Sequence, residues 1–397
     1  LGWKRLIPIA LVWILMVGVF PQYTIGMTIV LALILWLIFA GRASALFALL
    51  AGVSLSFMSG GRHGVRKGTW GLSAMSIATR AILIATLGLL LGHVTGELPV
   101  ILTYYGLLFL VVIPMLRLRP LALTLIGLAA GVLGPIVIFL ALPHAPEGSI
   151  RTGDPTLAWL IEPGLMLWNL LVTGVYPVLA WASFVIIGLA VGRLITVRSP
   201  RFAARLLLGG LTLAALTWFL SHALLATVDG PFGLAERTPG VSPQQAGDIM
   251  VWGFEESLPT ATWWWLTIIA PHTSTPFSTL HALGCAMAVL AVCLLVMRKE
   301  RRSLAVLITA GTMPLTMYVG HLLLTELVFG GRVEDCVSLL TQFAILGCFA
   351  WVWSRRFRQG PLEMALSSAT RRVTRRFSRP RAGAPAAGPA QVSLVKR

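Results

Sequence analysis

Long apolar runs alternate with short polar connections along almost the whole chain. The runs are roughly Leu6–Tyr23, Ile25–Met58, Ala81–Val94, Val100–Leu116, Leu121–Leu142, Val175–Leu194, Leu206–Ala226, Phe277–Val296, Leu304–Phe329 and Val337–Trp353. An apolar helix needs about 20 residues to cross a hydrocarbon core. Backbone inside lipid must satisfy its own hydrogen bonds, so runs of this length are predicted as helices. The pattern predicts an all-α polytopic membrane protein, with about ten transmembrane helices in one bundle. Ile25–Met58 is too long for one straight crossing. It is read as a single oblique or broken segment with its break near Gly41–Ser44, because two crossings there would invert every later loop.

Charge supports that threading. Of the 31 Lys and Arg residues, all but Arg42, Arg151, Arg237 and Arg332 fall on one side of it. Of the 14 acids, only Glu300 and Glu363 join them. Loops beside membrane spans keep their positive charge on the cytoplasmic side, so both termini are expected in the cytoplasm. The net charge of +17 is then a signal of topology, and no nucleic-acid partner is implied. Residues 1–358 form the expected membrane domain. The Arg-, Pro- and Ala-rich remainder, 359–397, reads as a basic, largely disordered cytoplasmic tail attracted to anionic membrane lipids.

Two connections on the other side are longer. Pro143–Gly174 contains LAWLIEPGLMLWNLL, whose apolar character predicts a helix lying at or dipping into the interface. Thr227–Pro276 is polar until Trp263, Trp264 and Trp265, which suit the headgroup zone. Cys285, Cys293, Cys336 and Cys348 form no CxxC pair, so neither a metal site nor a disulfide framework is expected.

Polar groups inside spans are costly and mark candidate chemistry. His93, His222 and His281 each fall about one helical turn from the same end of their spans. His321 lies at a similar depth, and His272 sits just before a span in PHTSTPF. Tyr318, His321 and Thr325 share one helical face, with Glu326 beside them and Pro314 placed to kink the helix beneath. His281 and Cys285 also share a face, and Gly284 and Ala288 form a small-residue pair suited to close packing. Tyr104 and Tyr105 enter a span from the side of the histidines, and Asn169 flanks another there. Arg42 is the one basic residue embedded in an apolar run; a central arginine costs about 2.5–3.5 kcal/mol unless it faces protein, water or an anion.

The stretches GRASALFALLAGVSLSFMSGG, TYYGLLF, APHTSTPFSTLHALG, AGTMPLTMYVGH and RQGPLE together resemble bacterial YeiB-type membrane proteins, spanning most of 1–366. These are related to heparan-α-glucosaminide N-acetyltransferase within a superfamily of transmembrane acyltransferases. The resemblance implies a bacterial inner-membrane enzyme that takes an acyl group from cytoplasmic acyl-CoA. The acceptor would be a hydroxyl or amine of an envelope glycan or glycolipid at the outer face. Acetyltransferases of this kind carry a histidine just after the first span, whereas VFPQYTIGM has none and the first histidine here is His63. On this reading His281 or His321 serves as base, Tyr318, Glu326 and Tyr104 orient substrates, and Arg42 holds an anionic or carbonyl group. Tyr105, His93, His272 and Asn169 are further candidates for substrate contact, and Arg62, Arg66, Lys67 and Arg80 for the phosphates of coenzyme A. Two other classes fit the same pattern: a transporter or flippase of an envelope precursor, and a non-catalytic subunit of an envelope-biosynthesis complex. A homodimer is compatible with each. If the threading holds, membrane-impermeant labelling of cysteines placed at Arg62 and Arg298 will occur only from the cytoplasmic side; labelling from outside would invert it.

Overall fold

The computed structural model describes residues 42–65, 68–96, 98–149, 154–195, 199–254, 257–297, 305–330 and 336–378. The expected span Leu6–Tyr23, the first part of Ile25–Met58 and the phosphate candidates Arg66 and Lys67 lie outside them. Every regular element among the described residues is helical. In chain order, α1 is Arg42–Met58, α2 Trp70–Leu91, α3 Leu102–Val112, α4 Pro120–Ala141 and α5 Pro163–Trp168. α6 is Val178–Leu194, α7 Pro200–Ala226, α8 Gly230–Glu236, α9 Pro243–Trp252 and α10 Pro276–Val296. α11 is Ala305–Gly311, α12 Pro314–Leu327, α13 Cys336–Ser354 and α14 Pro361–Ser378.

Four of these helical segments are long and apolar enough to cross a membrane: α2, α4 with its following turn, α7 and α10. The segment Pro163–Thr173 with α6, bent by 63° at the break between them, makes a fifth. Shorter apolar helices occupy Arg42–Met58, Leu102–Arg117 and Leu340–Ser354. The chain is thus an all-helical membrane protein by composition and element length.

Proline sets many of the helix starts. Pro120, Pro163, Pro200, Pro243, Pro276, Pro314 and Pro361 all stand in a first turn, where no backbone donor is lost and φ is already helical. Ser199 adds a side-chain cap to α7, and capping boxes open α9 (Ser242 with Gln245) and α10 (Thr275 with Ser278). The elements depart from the sequence reading in several places, one of them set by this proline rule. Pro314 begins a new helix, so Leu304–Phe329 is two helices separated at Thr312–Met313. α2 starts at Trp70, well before the expected Ala81, and this places Arg80 inside the helix. α2 also stops at Leu91, leaving His93 in the turn beyond it.

Where a single bundle is expected, the chain divides into two compact units. One holds the described residues of 1–64 and 114–301, the other those of 65–113 and 302–397. In the first unit, α6 is buried along nearly its whole length and packs against α1 and α4, while α10 packs against α7, α1 and α4. These contacts are backbone to backbone. A Cβ on Gly52 or Gly188 would overlap a carbonyl of the facing helix, at Val185 and Leu49 respectively. Gly134 meets Leu179 in the same way, and Gly210 and Gly284 abut across α7 and α10. Gly284 and Ala288 therefore serve a contact within the chain. Arg193 is buried at 6 % exposure and donates to the carbonyls of Leu116 and Leu118.

The connection after α7 packs into an apolar core that it shares with Phe139 of α4 and Leu225 of α7. Trp265 has no exposed surface, packs with Leu234, Ala246, Leu258 and Ile268, and donates Nε1–H to Thr238 Oγ1 at 2.9 Å. It is a core residue and not the interface anchor expected; Trp263 by contrast is exposed and lies against Phe139 at 5.2 Å between ring centroids.

In the second unit α2 packs on α3 and α14, and α12 on α13 and α14. The expected disordered tail is helical over Pro361–Ser378, with 379–397 outside the described residues. Its Glu363 closes the break at Pro314. Oε1 accepts from the amides of Leu315 and Thr316 at 2.7 and 3.1 Å, and Oε2 from the Thr316 hydroxyl. A carboxylate is well placed on the exposed amides of a helix N-terminus. A Cβ at Gly360 would collide with both Glu363 and Thr316, so glycine is required there.

Close helix packing predicts a sharp contrast between two substitutions. Gly188→Ala is expected to destabilise the detergent-solubilised protein by about 1–3 kcal/mol, as overpacking does. Gly71→Ala, which meets nothing within 4 Å, should leave its thermal midpoint unchanged or higher. Equal midpoints for the two would refute backbone contact at Gly188.

Candidate functional site

The first unit contains a small cleft of about 40 Å³ whose walls carry Arg42, Trp181, Phe184, His272, Ser274, Ser278 and His281. Four separate elements supply them. Arg42 comes from α1, Trp181 and Phe184 from the buried helix α6, His281 and Ser278 from the first turns of α10, and His272 and Ser274 from the loop before α10. A second cavity of similar size shares His272 and Ser274 and is otherwise lined by Pro135, Ile138 and Phe139 of α4, the 172–177 turn and the 254–258 loop.

Arg42 is half-buried, and its guanidinium pairs with the Cys285 sulfur. Cys285 Sγ lies 3.9 Å from His281 Nδ1, one helical turn away. A guanidinium, a thiol and an imidazole thus form one polar cluster among apolar helices. Aromatic rings hold the neighbouring wall. Tyr176 meets Trp181 edge-on at 4.9 Å and His272 at 5.9 Å, Trp181 meets Phe184 at 5.1 Å, and the Tyr176 hydroxyl bonds the Ser44 side chain of α1.

The loop is under backbone strain. His272 and Ser274 have φ of 56° and 48°, a region where an L-residue with a side chain loses roughly 1 kcal/mol or more. Hydrogen bonds hold it there: Thr273 Oγ1 donates to Ala270 O at 2.7 Å and Thr275 Oγ1 to Ile268 O at 2.6 Å. Strain kept by surrounding structure is characteristic of functional loops. The His272 ring opens onto the cleft, yet the protein mass around it pushes its imidazole below the ordinary histidine range. That burial favours the neutral imidazole, in which one ring nitrogen donates a hydrogen bond and the other accepts one. Among the described residues, no three His, Cys, Asp or Glu side chains converge as a metal site would need.

The other candidates lie elsewhere. Asn169 is buried in a π-helical turn, Asn169–Thr173, and Arg62 is exposed in the turn Gly61–His63. His222 is exposed and folded onto its own helix, with Nδ1 at 2.8 Å from Trp218 O. In the second unit Tyr318, His321, Thr325 and Glu326 share α12 as expected. Their polar atoms are largely committed to protein. The Tyr318 hydroxyl accepts from the Ile101 amide at 3.0 Å, and Glu326 Oε1 from the Gly96 amide at 3.0 Å. His321 Nδ1 lies 2.7 Å from Tyr318 O, and Thr325 bonds Gln342. Tyr104 and Tyr105 are buried in α3, His93 is exposed, and Arg80 belongs to this unit while Arg62 belongs to the first.

Residues 237–373 match the family described as "Protein of unknown function (DUF418)". The matched stretch is less than half of the chain; it includes His272, His281, His321 and Glu363 and excludes Arg42. No curated protein and no solved structure matches the chain.

Relief of the loop strain gives a direct test. Ser274→Gly should raise stability by about 1 kcal/mol, read as a higher thermal midpoint, because glycine adopts positive φ freely. A lower midpoint would show that the Ser274 side chain, and not backbone strain, dominates there.

Proposed function

We propose that the chain is a ten-span inner-membrane acyltransferase with both termini cytoplasmic. It moves an acyl group from cytoplasmic acyl-CoA to a hydroxyl or amine of an envelope sugar or glycolipid at the outer face. The observation that carries this reading is the convergence of Arg42 and His281 on one cleft. A positioned imidazole and a fixed cation are the two groups that acyl transfer needs. His281 accepts the proton of the acceptor hydroxyl as that oxygen attacks the thioester carbonyl. Arg42 faces the oxygen on which negative charge develops. Collapse of the tetrahedral species breaks the carbon–sulfur bond, and the thiolate of coenzyme A leaves and takes up the proton. His272 and Ser274 orient the acceptor. His281 is preferred to His321 as base because it lines an open cleft beside a cation, whereas His321 bonds its own helix. The match over residues 237–373 agrees with the YeiB-type resemblance and by itself carries no activity.

A second reading draws on the bent segments. The 63° break before α6 and the separation of α11 from α12 are features common in transporters. Purified protein given labelled acetyl- or succinyl-CoA separates the two. Acyl transfer that falls about 100-fold or more in His281→Ala and in Arg42→Gln, with His321→Ala near wild type, supports the enzyme. Full activity in His281→Ala overturns the base, and movement of substrate across proteoliposomes without covalent change supports transport.

A further inference from the structure

α14 carries a basic run against the middle of α2. Arg80 lies ten residues into α2, about 15 Å from the helix start, in a helix apolar enough to cross a membrane. Its Nη2 donates to Ser367 Oγ at 3.3 Å, and its Nε is buried without a hydrogen-bond partner. Ser367 is itself buried at 8 % exposure. One turn further along the same face of α14 comes Arg371, close enough for its charge to act unfavourably on Arg80. Arg372 and Arg375 follow, both exposed.

A half-buried guanidinium that feels the repulsion of a second one is unfavourable unless an anion joins them. The described residues do not supply one nearby. Glu363, the one acid of α14, is consumed by the N-terminus of α12, and no ion pair among the described residues joins Arg80 or Arg371 to a carboxylate. Guanidiniums are suited to phosphate, whose oxygens accept two parallel N–H bonds. The hydroxyl of Ser367 adds a further donor to the same face.

We propose that Arg80, Ser367 and Arg371 form a phosphate-binding site between α2 and α14. The sequence reading grouped Arg80 with Arg62, Arg66 and Lys67 as candidates for the phosphates of coenzyme A; the site proposed here joins Arg80 instead to the helix that follows the last apolar run. The phosphate belongs either to an anionic membrane lipid or to a soluble nucleotide such as coenzyme A. The site does not depend on acyl transfer, because binding is read without turnover.

Native mass spectrometry of the delipidated full-length protein tests it with three probes: phosphatidylglycerol, coenzyme A and zwitterionic phosphatidylcholine. Arg371→Ala removes an exposed side chain and should keep the wild-type melting profile; Arg80→Lys keeps the charge and loses the fork. Preferential binding of phosphatidylglycerol identifies a lipid headgroup, and preferential binding of coenzyme A identifies the nucleotide. In either case affinity should fall about tenfold in each variant, the loss of one charged hydrogen-bond donor. Equal binding of all three probes, or unchanged affinity in folded Arg371→Ala, overturns the site.

Discussion

The contact of α1 with α6 sets the geometry of the first unit. Gly52 and Gly188 lie at that crossing, and their missing side chains allow one helix backbone to rest on carbonyls of the other. Arg42 stands ten residues before Gly52, about 15 Å along α1, and Trp181 seven residues before Gly188, about 10 Å along α6. Fixing the crossing therefore fixes where the guanidinium meets the aromatic wall. α10 closes the third side, held to α7 by an equally tight pair, Gly210 and Gly284. The cluster of Arg42, Cys285 and His281 is a consequence of small residues several turns away.

Much of this was legible in the amino-acid sequence because lipid permits so few backbone arrangements. Apolar runs became helices, and the close contact of Gly284 and Ala288 followed from residue size. Arg42 was conspicuous as a cation in an apolar run, and His281 with Cys285 by their four-residue spacing. The cleft was not legible, since its walls come from three stretches far apart in the chain, around Arg42, Trp181 and His272–His281. No residue preference announces a left-handed His272 or Ser274, because only the surrounding hydrogen bonds hold them there. Trp265 was misread because its two neighbouring tryptophans suggested an interface, while its own place was decided by a core assembled from α8, α9 and the loop.

Residue 359 onward was misjudged for a different reason. Averaged over its length, the segment is rich in Arg, Pro and Ala, a composition that resists packing. Its first part nevertheless spaces Leu362, Leu366, Ala369 and Val373 at helical intervals, and Pro361 provides a helix start. α12 is then held by polar contacts on two sides: Tyr318 and Glu326 hold backbone amides of the 96–101 segment, and its first turn is held by Glu363. The residues that look most catalytic on α12 are thus those with the most structural work.

That arrangement makes the last helix part of the membrane fold. Leu315 and Thr316 have their amides satisfied by a side chain that arrives from beyond the final apolar run. Cutting the chain at residue 358, the boundary that hydropathy suggests, would leave those two donors bare at the broken helix and remove the neighbour of Arg80. Tidying such a protein by trimming its polar end would undo the interior it was meant to expose.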